Sequence, residues 1–189
     1  VKLTVSIADI LCGVTPERSD IASDPLPGAA PALPRCMEGH IGYLVARAHH
    51  ACFALASEAM APLGLTVKHY ACLRAIASEG PLSQQELGAL LGIDRTTVVA
   101  VVDDLERKRL VARRRNPRDR RAYALEATAA GRSWLERVAP IVADAQDRMC
   151  AQLAAGERAE LTRLLKALIA GAEEAAGEER RLSQRAART

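Results

Sequence analysis

The sequence predicts a mainly α fold with a small β wing: a helix-turn-helix lobe that ends in a hairpin, plus a region of long helices. Three observations carry the prediction. Apolar residues make up 49% of the 189 residues and aromatics only 3%, so the apolar mass is Ala, Leu and Val. In such a chain, rich also in Glu and Arg, the helix is the favoured local state. Two short helical patterns, Ser83 to Gly92 and Asp94 to Arg107, are separated by a tight glycine-containing turn. An arginine-rich alternating stretch follows at once and turns at Asn116-Pro117.

Taken in order, residues 1–36 read as a mobile arm. Five prolines fall between Thr15 and Arg35, and no long helix survives them. Val1 to Val14 faintly resembles a secretory leader, but Asp9 interrupts its apolar run and no A-x-A site follows. From Met37 to Met60, Ile41, Leu44, Val45, Ala48, Cys52, Leu55 and Ala59 recur at helical spacing; Pro62 and Gly64 close this first long helix. Thr66 is placed to cap a second helix, Val67 to Ser78, which Gly80-Pro81 breaks.

Ser83 and Glu86 form a capping box ahead of Leu87, Leu90 and Leu91, with Gly92 as C-cap. Asp94 caps the next helix, Arg95 to Arg107, whose buried stripe is Val98, Val101, Val102 and Leu105. Leu110-Val111 and Tyr123 to Leu125 are the two strands of a hairpin. Thr128 caps a long helix over 129–154, and Gly156 separates it from a last helix over 157–175. That helix carries Leu161, Leu164, Leu165, Leu168 and Ile169 on one stripe, joined by Trp134, Val138, Ile141 and Val142 of the preceding one. One small lobe cannot cover so much apolar surface, which argues for a homodimer. The charged tail, 176–189, is expected to fray.

Composition narrows the function. The net charge is only +3, so any nucleic-acid surface comes from local clustering. The five cysteines, Cys12, Cys36, Cys52, Cys72 and Cys150, are odd in number and contain no C-x-x-C pair, as expected of reduced thiols in a cytoplasmic protein. No apolar run is long enough to span a membrane. A Gly-rich phosphate loop, a metal-spaced His/Cys cluster and G-x-S-x-G are all missing, which argues against an enzyme and against a metal or other cofactor. A protein-interaction module is the remaining rival. Asp103 and Asp104 point weakly towards it, and the arginine hairpin points away.

The hairpin turn carries Arg118, Arg120 and Arg121. Arginines on an exposed turn suit the narrow minor groove of DNA, where the negative potential is enhanced. Asp119 would repel phosphate if solvated, so it is expected to pair with an arginine, Arg95 among the candidates, and to shape the turn. On the helix 95–107, burial of the valine stripe leaves Arg95, Thr96, Thr97 and Ala100 outward near the N-terminus, where a recognition helix meets base edges. Ser83, Gln84 and Gln85 open the preceding helix and are placed to hold phosphate. Arg113, Arg114 and Arg115 alternate faces in a strand, so they cannot all touch DNA.

Together these residues resemble the MarR family of winged helix-turn-helix repressors. The resemblance covers about Gly42 to Leu168 and rests on "GLT" at Gly64 to Thr66, "GPLSQQELGALLGIDRTTV" at Gly80 to Val98, "VDDLERKRLV" at Val102 to Val111, "NPRDRRAY" at Asn116 to Tyr123, and Thr128 with Gly131-Arg132. Ala100, Ala127 and Ala129 depart from the usual family residues; Ala100 leaves the base preference open. The resemblance implies a winged helix-turn-helix lobe over 63–128 and a helical dimerisation region over 37–62 and 129–175. It implies double-stranded DNA as partner, read as a pseudo-palindromic operator by a homodimer, with Arg120 at the wing tip. It also implies a small aromatic or phenolic effector beside the first, second and fifth helices, where Tyr43, Arg47, His49, His50, His69, Tyr70 and Arg74 are candidates. The alternative is thiol-based oxidant sensing by Cys36, which lies beside Arg35 at the expected start of the first helix.

Overall fold

A computed structural model describes residues 33–115, 123–154 and 156–186. Arg118, Asp119, Arg120 and Arg121, Cys12 and most of the arm lie outside the described residues. The chain divides into two compact units, Val1–Ala145 and Gln146–Thr189.

In the first unit, helix α1 (Ile41–Met60) begins four residues later than its apolar spacing suggests. A separate 3-10 turn, Arg35–Met37, precedes it, and Gly39 and an extended His40 intervene. Glycine carries too much backbone entropy to continue a helix cheaply. A 3-10 turn at Ala61–Leu63 holds Pro62 and ends at Gly64, whose φ of 66° is left-handed. Helix α2 (Val67–Glu79) is capped by Thr66, and Gly80 ends it.

Helix α3 (Gln84–Leu91) has the expected capping box: the Ser83 hydroxyl accepts from the Glu86 N–H at 3.1 Å, and Glu86 Oε2 accepts from the Ser83 N–H at 2.7 Å. Gly92 closes it at a φ of 64°. Helix α4 (Arg95–Arg107) follows, with Val98, Val101, Val102 and Leu105 buried as the periodicity requires.

The strands are longer than predicted. β1 (Val111–Arg115) and β2 (Tyr123–Ala127) pair antiparallel, with Val111 opposite Ala127 and Arg115 opposite Tyr123. A further bridge was not anticipated: Leu125 donates to the Leu82 carbonyl at 2.7 Å and accepts from the Leu82 N–H at 3.3 Å. The segment before α3 is thereby stitched to the hairpin.

Helix α5 (Ala129–Met149) starts at Thr128, whose hydroxyl accepts from the Gly131 N–H at 3.0 Å and donates to the Arg109 carbonyl at 2.8 Å. It stops at Met149, short of the expected end at 154, because the chain tightens there: the Cys150 N–H is shared between the carbonyls of Gln146 and Asp147. Trp134, Leu135 and Val138 are buried in the same core as Leu73, Leu105 and Val111. This corrects the expectation that Trp134 and Val138 extend an apolar stripe left over for a partner.

The second unit is dominated by helix α6 (Glu157–Ala186). It runs through the tail expected to fray. Ala, Glu and Arg, which fill that stretch, are strong helix formers and outweigh Gly171 and Gly177. Among the described residues no single helix is long and apolar enough to cross a membrane.

Candidate nucleic-acid interface

The helix-turn-helix is α3 and α4. Its second helix is amphipathic by construction: the buried valine stripe and Leu105 face the core, while Arg95, Thr96 and Ala100 are exposed. Thr97 is half-buried and committed. Its N–H donates to Asp94 Oδ1 at 2.9 Å and its hydroxyl to Asp94 Oδ2 at 2.6 Å. These bonds, side chain first and backbone second, hold the Asp94 carboxyl below its ordinary range. The cap thus keeps a negative charge at the helix N-terminus, and the Thr97 hydroxyl proton is spent on it.

At the start of α3, Ser83 is half-buried and Gln85 exposed. Gln84 is half-buried, and its amide nitrogen is shut off from water without a hydrogen-bond acceptor among the described residues.

The three consecutive arginines of β1 part as strand alternation demands. Arg113 turns to α4, donating to Glu106 at 2.9 Å and closing on Asp103. Arg114 pairs with Glu126 of β2 at 3.0 Å. Arg115 is exposed. The partners of Arg113 were not found from sequence; the spacing of Asp103 and Glu106, one helical turn apart, is the signal that could have found them. That pairing also accounts for Asp103, which otherwise reads as an acidic intrusion on the recognition helix.

Asp104 is accounted for as well. It lies 2.7 Å from Arg107 and 3.1 Å from His69 Nε2 on α2. His69 closes the α2 cap: its Nδ1 accepts from the Thr66 N–H at 3.3 Å and lies 2.7 Å from the Thr66 hydroxyl. That fixes the proton on Nε2, facing Asp104 closely but without good hydrogen-bond alignment. Burial lowers the imidazole pKa; Asp104 opposes the shift and Lys108 adds to it.

The other effector candidates fall on two helices. Tyr43 and Arg47 are half-buried on α1, and His49 and His50 are exposed on it with ring centroids 5.9 Å apart. Tyr70 is half-buried on α2 and packs against the core, while Arg74 is exposed. His50 Nδ1 is 2.9 Å from the Ala46 carbonyl, a bond within its own helix. No group of three or more His, Cys, Asp or Glu side chains among the described residues is placed to hold a metal.

Cys36 is exposed in the 3-10 turn, outside α1, so the helix-dipole argument for a thiolate there does not hold. Cys72 is buried, and burial pushes its thiol up to about 11, which makes it a packing residue. Cys52, expected to pack, is exposed, and Cys150 is half-buried.

Comparisons with known proteins agree with this geometry. A model of the MarR family matches residues 63–122, from the 3-10 turn after α1 to the residue before β2. A putative transcriptional regulatory protein for the hcr operon of Thauera aromatica is 35% identical over 133 residues, 70% of this chain and 80% of that protein. The transcriptional repressor Rv2887 of Mycobacterium tuberculosis is 31% identical over 128 residues, 68% of this chain and 92% of its own length. Its structure in complex with p-aminosalicylic acid matches with a TM-score of 0.58. Bordetella bronchiseptica BpsR, whose DNA binding is regulated by 6-hydroxynicotinic acid, matches with a TM-score of 0.66 at 25% identity, over 72% of this chain and 97% of that one. These relatives are transcriptional regulators, and no enzyme family is indicated. With a two-stranded wing tied to the second helix of a helix-turn-helix, and relatives that align over most of their own length, the chain belongs to the MarR family of transcriptional regulators.

Proposed function

We propose that this chain is a homodimeric, sequence-specific DNA-binding repressor, released from a pseudo-palindromic operator by a small aromatic or phenolic acid. The observation that carries the DNA reading is the division of α4, with its apolar stripe wholly buried and Arg95, Thr96 and Ala100 bared at its N-terminal end. In this reading α4 enters the major groove, Ser83, Gln84 and Gln85 hold backbone, and Arg118, Arg120 and Arg121 enter the minor groove on a turn shaped by Asp119.

The dimer is supported by α6, where Leu161, Leu164, Leu165, Leu168 and Ile169 are all exposed along one stripe. Apolar surface left in water forgoes about 25 cal/mol per Å² of burial, and a second copy supplies a matching stripe. Residues 37–62 and 129–175 are the proposed dimerising region, and 63–128 the reading lobe.

The effector class is supported by the acids bound to or regulating the relatives Rv2887 and BpsR. Tyr43, Arg47, His49, His50, Tyr70 and Arg74 are the proposed contacts. His69 is the weakest member of the set, because both its ring nitrogens face groups of the protein.

The test is release from DNA. Preformed complexes are titrated with p-aminosalicylic acid, 6-hydroxynicotinic acid and a panel of related aromatic acids, and separately with an organic hydroperoxide. Release by an acid, in wild type and in Cys36→Ser alike, supports the reading. Release by peroxide alone, lost in Cys36→Ser, replaces it with the thiol-sensing alternative.

A further inference from the structure

The outward face of α4 is sorted by charge along its length. Thr96, Val99, Ala100, Asp103 and Arg107 follow one another at steps of three and four residues, on the side away from the buried valines. Both charges of that row are engaged: Asp103 closes on Arg113, and Arg107 lies 2.7 Å from Asp104. They belong to the second half of the helix. The first half presents Thr96, Val99 and Ala100, which carry no charge. The neighbouring Thr97 hydroxyl donates to Asp94 at 2.6 Å and is not offered outward. Val99 is half-buried and lines an open cleft between α4 and the hairpin. In the major groove guanine is read by Arg or Lys, adenine by Asn or Gln and cytosine by a carboxylate, while thymine adds a 5-methyl group. Val99 and Ala100 can make no hydrogen bond through their side chains. What they can do is shed water against another apolar group, and the thymine methyl is such a group.

We propose that Val99 and Ala100 form a methyl-reading pair, so that each operator half-site carries a thymine whose 5-methyl group packs against them. The inference rests on the DNA reading above and adds to it the base that is read and Val99 as a residue that sets specificity. A side chain as short as that of Ala100 lets the base edge come close to the helix, and the branched Val99 beside it supplies the apolar contact. Arg95, exposed one turn before Val99, is placed for a hydrogen-bonded contact next to the thymine.

The probe is a duplex selected in vitro from a randomised pool of unmodified DNA, in which thymine alone among the bases carries the methyl group. Each thymine is then replaced in turn by deoxyuridine. This removes the methyl and leaves the pairing edge and the minor groove as they were, so contacts of the hairpin arginines are not disturbed. Burial of one methyl contributes about 0.8 kcal/mol, a factor of about four in affinity. At one thymine position per half-site, wild type is expected to lose about fourfold for each deoxyuridine. At the same position Val99→Ala is expected to bind the thymine and deoxyuridine duplexes within about twofold of each other. The ratio is taken on one preparation of each protein, so a partly folded variant does not alter it, and alanine, a stronger helix former than valine, preserves α4. Wild type that binds every deoxyuridine duplex as tightly as the parent overturns the methyl pair and leaves DNA binding in place. Val99→Ala that keeps the full wild-type loss at the same thymine does so too. If wild type selects no duplex at all, the DNA reading itself falls and this inference falls with it.

Discussion

Arg113 of β1 donates to Glu106 of α4 at 2.9 Å, and the same guanidinium closes on Asp103 one turn earlier on that helix. The hairpin is therefore tied to α4 by a forked cation between two carboxylates. The Arg113 side chain is 31% exposed and that of Asp103 48%, so the pairs are screened and the tie contributes only about 1 kcal/mol to stability. Its larger effect is expected on the angle between the hairpin strands and α4. Arg113→Met is expected to leave the melting temperature within a few degrees of wild type and to weaken operator binding by roughly tenfold, about 1.4 kcal/mol. Calorimetry and a binding titration on one preparation check both halves; a loss confined to stability would contradict the positioning role.

Arg109 ends α4 in a left-handed conformation, with φ of 60°. Its N–H donates to the Glu106 carbonyl at 2.8 Å, and the Leu110 N–H reaches back to Leu105 at 2.9 Å, the Schellman pattern that usually carries glycine. An L side chain there costs about 1 kcal/mol. Arg109→Gly is expected to raise unfolding free energy by about that amount in a denaturant titration; a destabilised variant would show that the Arg109 side chain has an important contact of its own.

A methyl group at Gly131 would lie 2.2 Å from the Leu110 carbonyl oxygen, which already accepts from the Thr128 N–H at 3.0 Å. Backbone cannot yield as a side chain tip does. Gly131→Ala is expected to cost about 3 kcal/mol and to cut the yield of folded protein. Near-wild-type melting would mean that the start of α5 can shift without loss.

His69 has a folded-state pKa below its unfolded value, chiefly through burial. The unfolded chain then binds the proton first, so stability rises with pH. The contribution is complete above the ordinary histidine value of about 6.5 and is lost as pH falls from there through the folded-state value. Protonation also removes the acceptor that Nδ1 offers to the Thr66 N–H. Between about pH 8 and pH 5, where histidine titrates, the melting temperature of wild type should fall more steeply than that of His69→Gln. Parallel curves would exclude the effect.

Arg95→Ala and Thr96→Ala are expected to fail differently. Loss of the Arg95 charge reduces the salt slope by about one, on top of any base preference that it carries. Loss of a side chain at a base edge relaxes preference at one position, by about 1–3 kcal/mol. Binding to a set of single-base operator variants at two salt concentrations distinguishes them.

Local chemistry made much of this legible. Ser83 with Glu86, Asp94 before Arg95, Thr66 before Val67 and left-handed Gly92 each declare a helix end through bonds that span three or four residues. The Leu82 to Leu125 bridge was not legible, because neither segment alone differs from an ordinary loop or strand end. Arg113 was readable only as one of three alternating arginines until α4 supplied its carboxylates. Trp134 shows the limit of periodicity, which tells that a face is apolar and not which neighbour covers it. His69 read as a ligand candidate because its type suggested chemistry; its place at the third position after Thr66 is the local sign of a cap.

The close approach of Gly131 to Leu110 and the burial of Trp134, Leu135 and Val138 root one end of α5 firmly in the winged helix-turn-helix core. Mechanically this makes α5 a lever with its fulcrum at the lobe. A helix of 21 residues is about 31 Å long at 1.5 Å per residue, so a 2 Å displacement at the far end corresponds to a tilt of about 4° at the root. Pro140, which cannot donate to the Glu136 carbonyl, is the joint most able to absorb that motion before it arrives. Stiffness at residue 140 then sets how much of any movement at the distal end becomes rotation at the rooted end, and Pro140→Ala would raise the gear ratio without touching either end.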